Sequence, residues 1–266
     1  MAEVRPYYSD KGLSAAFYDL TTAADRGLDG DIDLYAGQAP AGGSVLELGA
    51  GTGRVTLALA ERGLQVLGVD LAPTMLAQAQ AKLARAAPEI RDRVRFRRGD
   101  MASLNLGETF DAVIAPYFAL AHLPAGAAWR NVFAGVARHL RPGGRAAFHL
   151  PSKEMLDQPL PKVRGPALQR PLDGGRRLTL FIQARTARPA VGRYDQVVEY
   201  VVEGPKGVES RSLDRMTYYV ADPAPAALAA GLEAEAPVLL GQNPVHLFRK
   251  PAQAISAPPP TWRGSP

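Results

Sequence analysis

The residues best suited to chemistry fall on a regular set of spacings. The stretch Val45-Leu46-Glu47-Leu48-Gly49-Ala50-Gly51-Thr52-Gly53-Arg54 ends an apolar run with an acid and three alternating glycines. Glycine lets the chain turn with positive φ and lets a ligand approach the main chain. A helix starting there leaves N–H groups free for a negative ligand group. Asp70 stands 21 positions beyond Gly49. At that spacing an acid sits at the end of the next parallel strand and can accept from both hydroxyls of a ribose, a task for which an acceptor-only carboxylate is suited. Gly99-Asp100-Met101 and Ala115-Pro116-Tyr117-Phe118 close two further apolar stretches, and His122 follows. A neutral imidazole beside an acceptor could take a proton from a hydroxyl or ammonium group. The chemistry implied is the holding of a nucleotide-type cofactor at the ends of parallel strands.

These residues need strands that end together. Residues 44–48 form a short apolar strand, and 55–62 a helix with Val55, Ala58, Leu59 and Arg62 at helical spacing before Gly63. A second strand covers 65–69, and a helix 73–86 carries a stripe of Met75, Leu76, Ala79 and Leu83. Val94 and Phe96 alternate with arginines over 91–98, as in a half-buried strand with a solvated basic face. Strands at 110–115 and 145–150 flank a helix at 129–140, on which His139 is expected at the surface or as a partner of the C-terminal dipole, and His149 lies near the end of the fifth strand. Asp111 is expected to be structural. Two helices, 14–24 and 31–39, precede the first strand.

The glycine pattern separates cofactor types. A dinucleotide fingerprint needs glycine or alanine where Arg54 stands, and Glu47 is unusual for it. The run Glu47 to Gly53 instead closely resembles motif I of the class I S-adenosylmethionine-dependent methyltransferases. Phe17-Tyr18-Asp19 resembles a Tyr-Asp pair common in their first helix, and Leu140 to Gly144 resembles their turn before strand five. Phe110-Asp111-Ala112-Val113-Ile114 resembles the start of their fourth strand. The resemblance implies that Asp100 accepts from the adenine amine while the Met101 N–H donates to the ring, and that Leu71 lies against the adenine face. It implies that Glu47 accepts, directly or through water, from the methionine ammonium and that Gly49, Ala50, Gly51, Gly53 and Arg54 form the cradle. Tyr18, Ala115 and Tyr117 complete the implied cofactor set, with His122 and Tyr18 as candidate catalytic residues. The reaction implied is in-line displacement on the sulfonium methyl. Nucleobase-amine methyltransferases carry an acid or amide where Ala115 stands, so methylation of a base amine is not expected.

Beyond residue 150 the pattern changes. A proline-rich connection over 151–175 leads to alternating runs at 177–186, 193–203 and 208–220, an antiparallel meander. Arg185, Arg193, Arg211, Arg215, Tyr200 and Tyr218 are its candidates to meet an acceptor. A helix at 222–232, capped by Asp222, precedes a hairpin of 234–240 and 244–250. The fold expected is α/β: a doubly wound, mostly parallel seven-stranded sheet with helices on both faces, an N-terminal helical cap and a small antiparallel β insertion after strand five. The divisions are 1–40 (cap), 41–150 with 221–250 (cofactor domain), 151–220 (acceptor wall or dimer contact) and 251–266 (disordered tail).

The chain has 266 residues, no cysteine and a net charge of +5. Without cysteine there is no disulfide, no thiolate metal site, no cysteine-bound iron–sulfur cluster for radical chemistry and no cysteine nucleophile; no metal is expected. The basic charge is read as a compositional bias, so nucleic acid is not an expected partner. No apolar stretch reaches membrane-spanning length and the start has no signal-peptide core, so a cytoplasmic location is expected. The expected function is methylation of O, N or C of a small metabolite. The alternatives are an RNA or protein methyltransferase and a non-catalytic S-adenosylmethionine-binding protein; a nicotinamide reductase is disfavoured by Glu47 and Arg54.

Overall fold

A computed structural model describes residues 3–9, 12–157 and 165–252. Its elements in chain order are β1 (Val4–Pro6), α1 (Leu13–Ala16), α2 (Tyr18–Thr22), α3 (Asp31–Ala36), β2 (Ser44–Leu48), α4 (Arg54–Glu61), β3 (Gln65–Asp70), α5 (Pro73–Arg85), α6 (Pro88–Arg91), β4 (Val94–Arg98) and β5 (Phe110–Ala115). There follow α7 (Ala127–His139), β6 (Leu140–His149), β7 (Leu168–Leu172), β8 (Arg176–Arg188), β9 (Arg193–Gly204), β10 (Gly207–Tyr219), α8 (Ala224–Ala229), β11 (Glu233–Ala234), β12 (Val238–Leu240) and β13 (Asn243–Arg249).

The larger sheet has the order β11-β13-β6-β5-β2-β3-β4, with β12 also paired to β13, eight strands in all. Strands β2 to β6 are parallel, while β13 runs antiparallel to β6. Both faces are covered, as the apolar runs of β2 and β5 require. On one face Leu46, Leu48, Val113, Phe133, Phe148 and Phe248 are buried together. On the other, Val45, Val55, Leu59, Val66, Ile114 and Tyr35 are buried. This alternation along β2 puts Glu47 on the second face, with Val45. Asp111 ties the near end of β5 to β2, accepting from the Ser44 N–H at 2.7 Å and from Arg141 at 2.6 Å.

The smaller sheet has the order β1-β10-β9-β8-β7. Its three long strands follow the expected meander, extended by β7 and by β1, a strand absent from the sequence reading. Val4 to Pro6 lie parallel to Leu213 to Arg215, so three residues too short to show a period are strand only through their partner. The single helix expected over 14–24 is two short helices divided at Phe17, whose φ of -109° and ψ of 15° are non-helical. Side chains of β10 answer the free N–H groups of α1: Ser212 Oγ accepts from Leu13 at 3.0 Å and Asp214 Oδ2 from Ser14 at 2.9 Å. Leu13, Phe17 and Leu20 pack against Leu178, Tyr200 and Val202. This first part of the cap is therefore seated on the smaller sheet, while α3 packs on α4 of the larger one.

Two expectations about single elements change. His139 is buried, not at the surface. Its Nδ1 lies 2.7 Å from the Gly135 carbonyl and its Nε2 accepts from the Leu106 N–H at 3.0 Å, so the ring is a neutral bridge between α7 and the loop after β4. The strand expected at 145–150 begins at Leu140, because Gly143 (φ +80°) and Gly144 are absorbed as an irregularity in its pairing with β5. Of the expected tail, residues 253–266 lie outside the described residues.

Candidate active site

The carboxyl ends of β2, β3, β4 and β5 open on one cavity of 480 Å³, within the range of small-molecule sites. Asp70, at the end of β3, stands at its edge. Its Oδ2 accepts from the Gly51 N–H at 2.8 Å and its Oδ1 from the Ala72 N–H at 2.8 Å. Burial raises its pKa against these two bonds. Each oxygen retains acceptor capacity for a ligand hydroxyl. Leu71 is 59% exposed beside it, an apolar face open to the cavity. Asp100, at the end of β4, holds itself by accepting from the Ala102 N–H at 2.9 Å, and Met101 follows it into the lining.

Gly49 and Gly51 bring bare backbone to this wall. At Gly49, φ is +76° and a Cβ would stand 2.5 Å from that of Ala119. Four N–H groups of the turn are already used within the protein. Gly49 and Ala50 both donate to the Val69 carbonyl, Gly51 to Asp70, and Gly53 to the Ala50 carbonyl. A turn that closes back on β3 uses these donors itself.

Five residues of the expected cofactor set do not line the cavity. Glu47 is buried on the α4 face of β2, where it accepts from Thr56 Oγ1. Burial raises its pKa to about 8 from 4.5, against the Thr56 bond and Arg54. Ala50 is buried beside β3, within 2.9 Å of where a Cβ on Gly68 would stand. Gly53 faces Phe96, whose ring would be 2.8 Å from an added Cβ. Arg54 turns to the cap and binds both Asp31 oxygens. Ala115 stays in the β5–β6 ladder opposite Phe148, with its side chain in the core.

The cap and the smaller sheet close the cavity. Tyr18 lies edge-on to Tyr8 at 5.7 Å and to Tyr117 at 6.5 Å, while burial raises its pKa well above the usual phenol value. Asp19 anchors this helix, accepting from Thr52 Oγ1 at 2.6 Å and pairing with Lys82 at 2.5 Å. Tyr117 donates to Asp25 at 2.9 Å. His122 also lines the cavity, its ring 4.9 Å from that of Tyr218 and 5.8 Å from that of Tyr8. Burial lowers its pKa to about 4, although a hydrogen bond to the Thr217 backbone opposes this. The ring is thus neutral at physiological pH, able to accept a proton but weakly basic.

Of the insertion candidates, Arg215 lines the cavity, and Tyr200 and Tyr218 line an adjoining one. Arg193 pairs with Asp195, Arg211 with Glu199, and Arg185 donates to Gln196. The sequence reading missed Tyr8, which lines both cavities with a φ of +62°. Its only local signal is the adjacent pair Tyr7-Tyr8 ahead of the first helix.

Residues 45–144 match the methyltransferase domain family. Magnesium-protoporphyrin O-methyltransferase of Rhodobacter capsulatus is 35% identical over 43% of this chain and 56% of its own length. The dTDP-3-amino-3,4,6-trideoxy-alpha-D-glucopyranose N,N-dimethyltransferase of Streptomyces venezuelae is 28% identical over 42% of this chain and 44% of its own. The chain spans about half the length of the curated relatives it matches. Among solved structures, the CcbJ methyltransferase from Streptomyces caelestis shares the fold with a TM-score of 0.73 at 23% identity, over 93% of this chain and 99% of that one.

Proposed function

We propose that this chain, whose residues 45–144 match the methyltransferase domain family, is a class I enzyme that uses S-adenosylmethionine to methylate a small metabolite. The observation that carries this reading is the convergence of Asp70, Leu71, Asp100 and Met101 with Gly49 and Gly51 on a single cavity. The acid, the apolar face and the bare backbone match a ribose, an adenine and a sugar–methionine chain in turn. A side chain at Gly49 would meet Ala119, so the cradle suits a ligand laid against the main chain.

When bound, S-adenosylmethionine supplies an electrophilic sulfonium methyl group. The residues of this chain do the rest. Asp70 accepts from the ribose hydroxyls and Asp100 from the adenine amine, while Leu71 covers the base. Tyr18 and Tyr117 bound the methionine end and exclude water. His122 accepts the acceptor's proton through its unprotonated nitrogen; an amine that arrives neutral needs no such help. The N-terminal segment and the smaller sheet form the acceptor wall, and alignment of acceptor and methyl is the main source of rate. The enclosure favours a small acceptor over a polymer. We place the protein in the cytoplasm and treat the smaller sheet as a candidate dimer contact; among the described residues no helix is long and apolar enough to cross a membrane.

The test is calorimetric titration with S-adenosylmethionine and, separately, NADH, followed by labelled methyl transfer to a metabolite panel. Micromolar binding of the first alone is expected. Binding of NADH alone would refute the assignment, and cofactor binding with no transfer to any acceptor would favour a non-catalytic role.

A further inference from the structure

The cofactor cavity shares Tyr7, Tyr8, Tyr18 and Tyr117 with a second chamber of 280 Å³. Its far wall is the smaller sheet, with Leu180, Ile182, Gln196, Tyr200 and Met216. Among the described residues lining this chamber there is no lysine, arginine, histidine, aspartate or glutamate. Much of its polar capacity is already used within the protein. The Tyr7 and Tyr200 hydroxyls meet at 3.0 Å, Tyr194 donates to Gln196 Oε1 at 3.0 Å, and Thr21 and Thr22 donate to the Tyr18 carbonyl at 2.9 Å. What remains is largely ring faces, ring edges and aliphatic surface. Arg185, outside this lining, already donates to Gln196 at 3.0 Å. A phosphate placed there would lose its hydration and meet no cation among the described lining residues, a heavy penalty for a charged group. An apolar ring system would be solvated by the rings it touches.

The partition between the two cavities carries unusual backbone. Tyr8 (φ +62°) and Tyr117 (φ +43°) are both left-handed, and Phe118 (φ +65°) follows. Side chains seldom adopt this conformation, and such residues gather where a site fixes their direction. Here they turn two tyrosines into the wall between the cavities.

We infer that the methyl acceptor is a phosphate-free molecule whose apolar, ring-bearing body fills the tyrosine-lined chamber. Its nucleophilic nitrogen or oxygen passes between Tyr8, Tyr18 and Tyr117 into the first cavity. This rests on the methyltransferase reading, and it separates the chain from the relative whose named substrate is a dTDP-linked amino sugar.

The test uses the full chain saturated with S-adenosylhomocysteine, with 4-fluorophenethylamine as a fluorine NMR probe and thymidine 5′-diphosphate as its rival. Saturable broadening of the probe is expected, undisturbed by excess thymidine diphosphate. Ile182→Trp and Met216→Trp, made separately at half-buried positions to fill the chamber, should each weaken probe binding by about tenfold or more. The same variants should keep their affinity for S-adenosylmethionine within about threefold, which also reports folding. Displacement of the probe by thymidine diphosphate, absence of probe binding, or unchanged probe binding in folded variants would overturn the inference. Failure of the unaltered protein to bind S-adenosylmethionine would instead remove the methyltransferase reading beneath it.

Discussion

Asp70 Oδ2 accepts from the Gly51 N–H at 2.8 Å, so the acid at the end of β3 is fastened to the glycine turn that leaves β2. The bond fixes the carboxylate and the turn as one wall of the cavity. It also means that Asp70 serves the fold before any ligand arrives, since a second oxygen holds the Ala72 N–H. Asp70→Ala is expected to lower S-adenosylmethionine affinity by one to two orders of magnitude, about 1.5–3 kcal/mol for bonds to a charged acceptor. Calorimetry measures it, with the melting temperature reporting how much of the loss is structural. Unchanged affinity in a folded variant would remove the ribose role.

Glu47 and Thr56 predict a pH-dependent stability. The folded pKa of Glu47 is raised to about 8 from 4.5, chiefly by burial. Between these values the unfolded state has released a proton that the folded state keeps. The contribution is therefore whole below pH 4.5 and is lost as pH rises towards 8. Glu47→Gln keeps a neutral partner for Thr56 without that proton. Its melting temperature should gain on the unaltered protein from pH 5 to about 8. A constant difference across this window would show that Glu47 is ionised in the fold.

His122 and His149 act in the opposite direction. Burial lowers each to about 4 from 6.5. Unfolded imidazoles take up protons below about 6.5 that the folded ones refuse until near 4, so stability falls as pH falls through this window. His122 is neutral well above pH 4, and its protonation should not limit methyl transfer near neutrality. His122→Gln is expected to leave cofactor affinity unchanged and to lower kcat/KM by about 100-fold, the low end for a general base because the group is weakly basic. An unchanged kcat/KM would mean that the acceptor arrives neutral and needs no base.

Gly49 is held by both conformation and space. Its φ is +76°, and a Cβ would stand 2.5 Å from Ala119. Gly49→Ala should cost about 1 kcal/mol for the backbone alone. The clash adds to this by pushing Ala119 away from the turn. Thermal denaturation should show the loss, and cofactor affinity should fall with it. Gly63→Ala is the control: it also has positive φ (+88°) but nothing lies within 4 Å of an added Cβ. It should cost only the backbone share and leave affinity unchanged.

Local pattern was enough to bring the ends of β2, β3 and β4 to one edge, where they open on one cavity, because strand period and glycine chemistry are properties of neighbouring residues. Asp70, Leu71, Asp100 and Met101 needed only the strand ends to be placed. The same pattern misjudged Glu47, because its position in the motif hides the side of the sheet it faces. That depends on the two-residue alternation together with the packing of α4, which carries Thr56. Arg54 was misplaced for a similar reason: its partner Asp31 lies 23 residues earlier and meets it only when α3 packs on α4. The acceptor side was least legible. Tyr8 meets His122 and Tyr18, and joins Tyr218 in lining the second chamber, only after β1 pairs with β10, a contact across some two hundred residues. The amino-acid sequence by itself determined the parallel sheet and the edge on which the cavity opens, since these rest on local periodicity. Only the tertiary structure decided which buried acids face away and which rings form the second chamber, since those depend on long-range packing that no short window records.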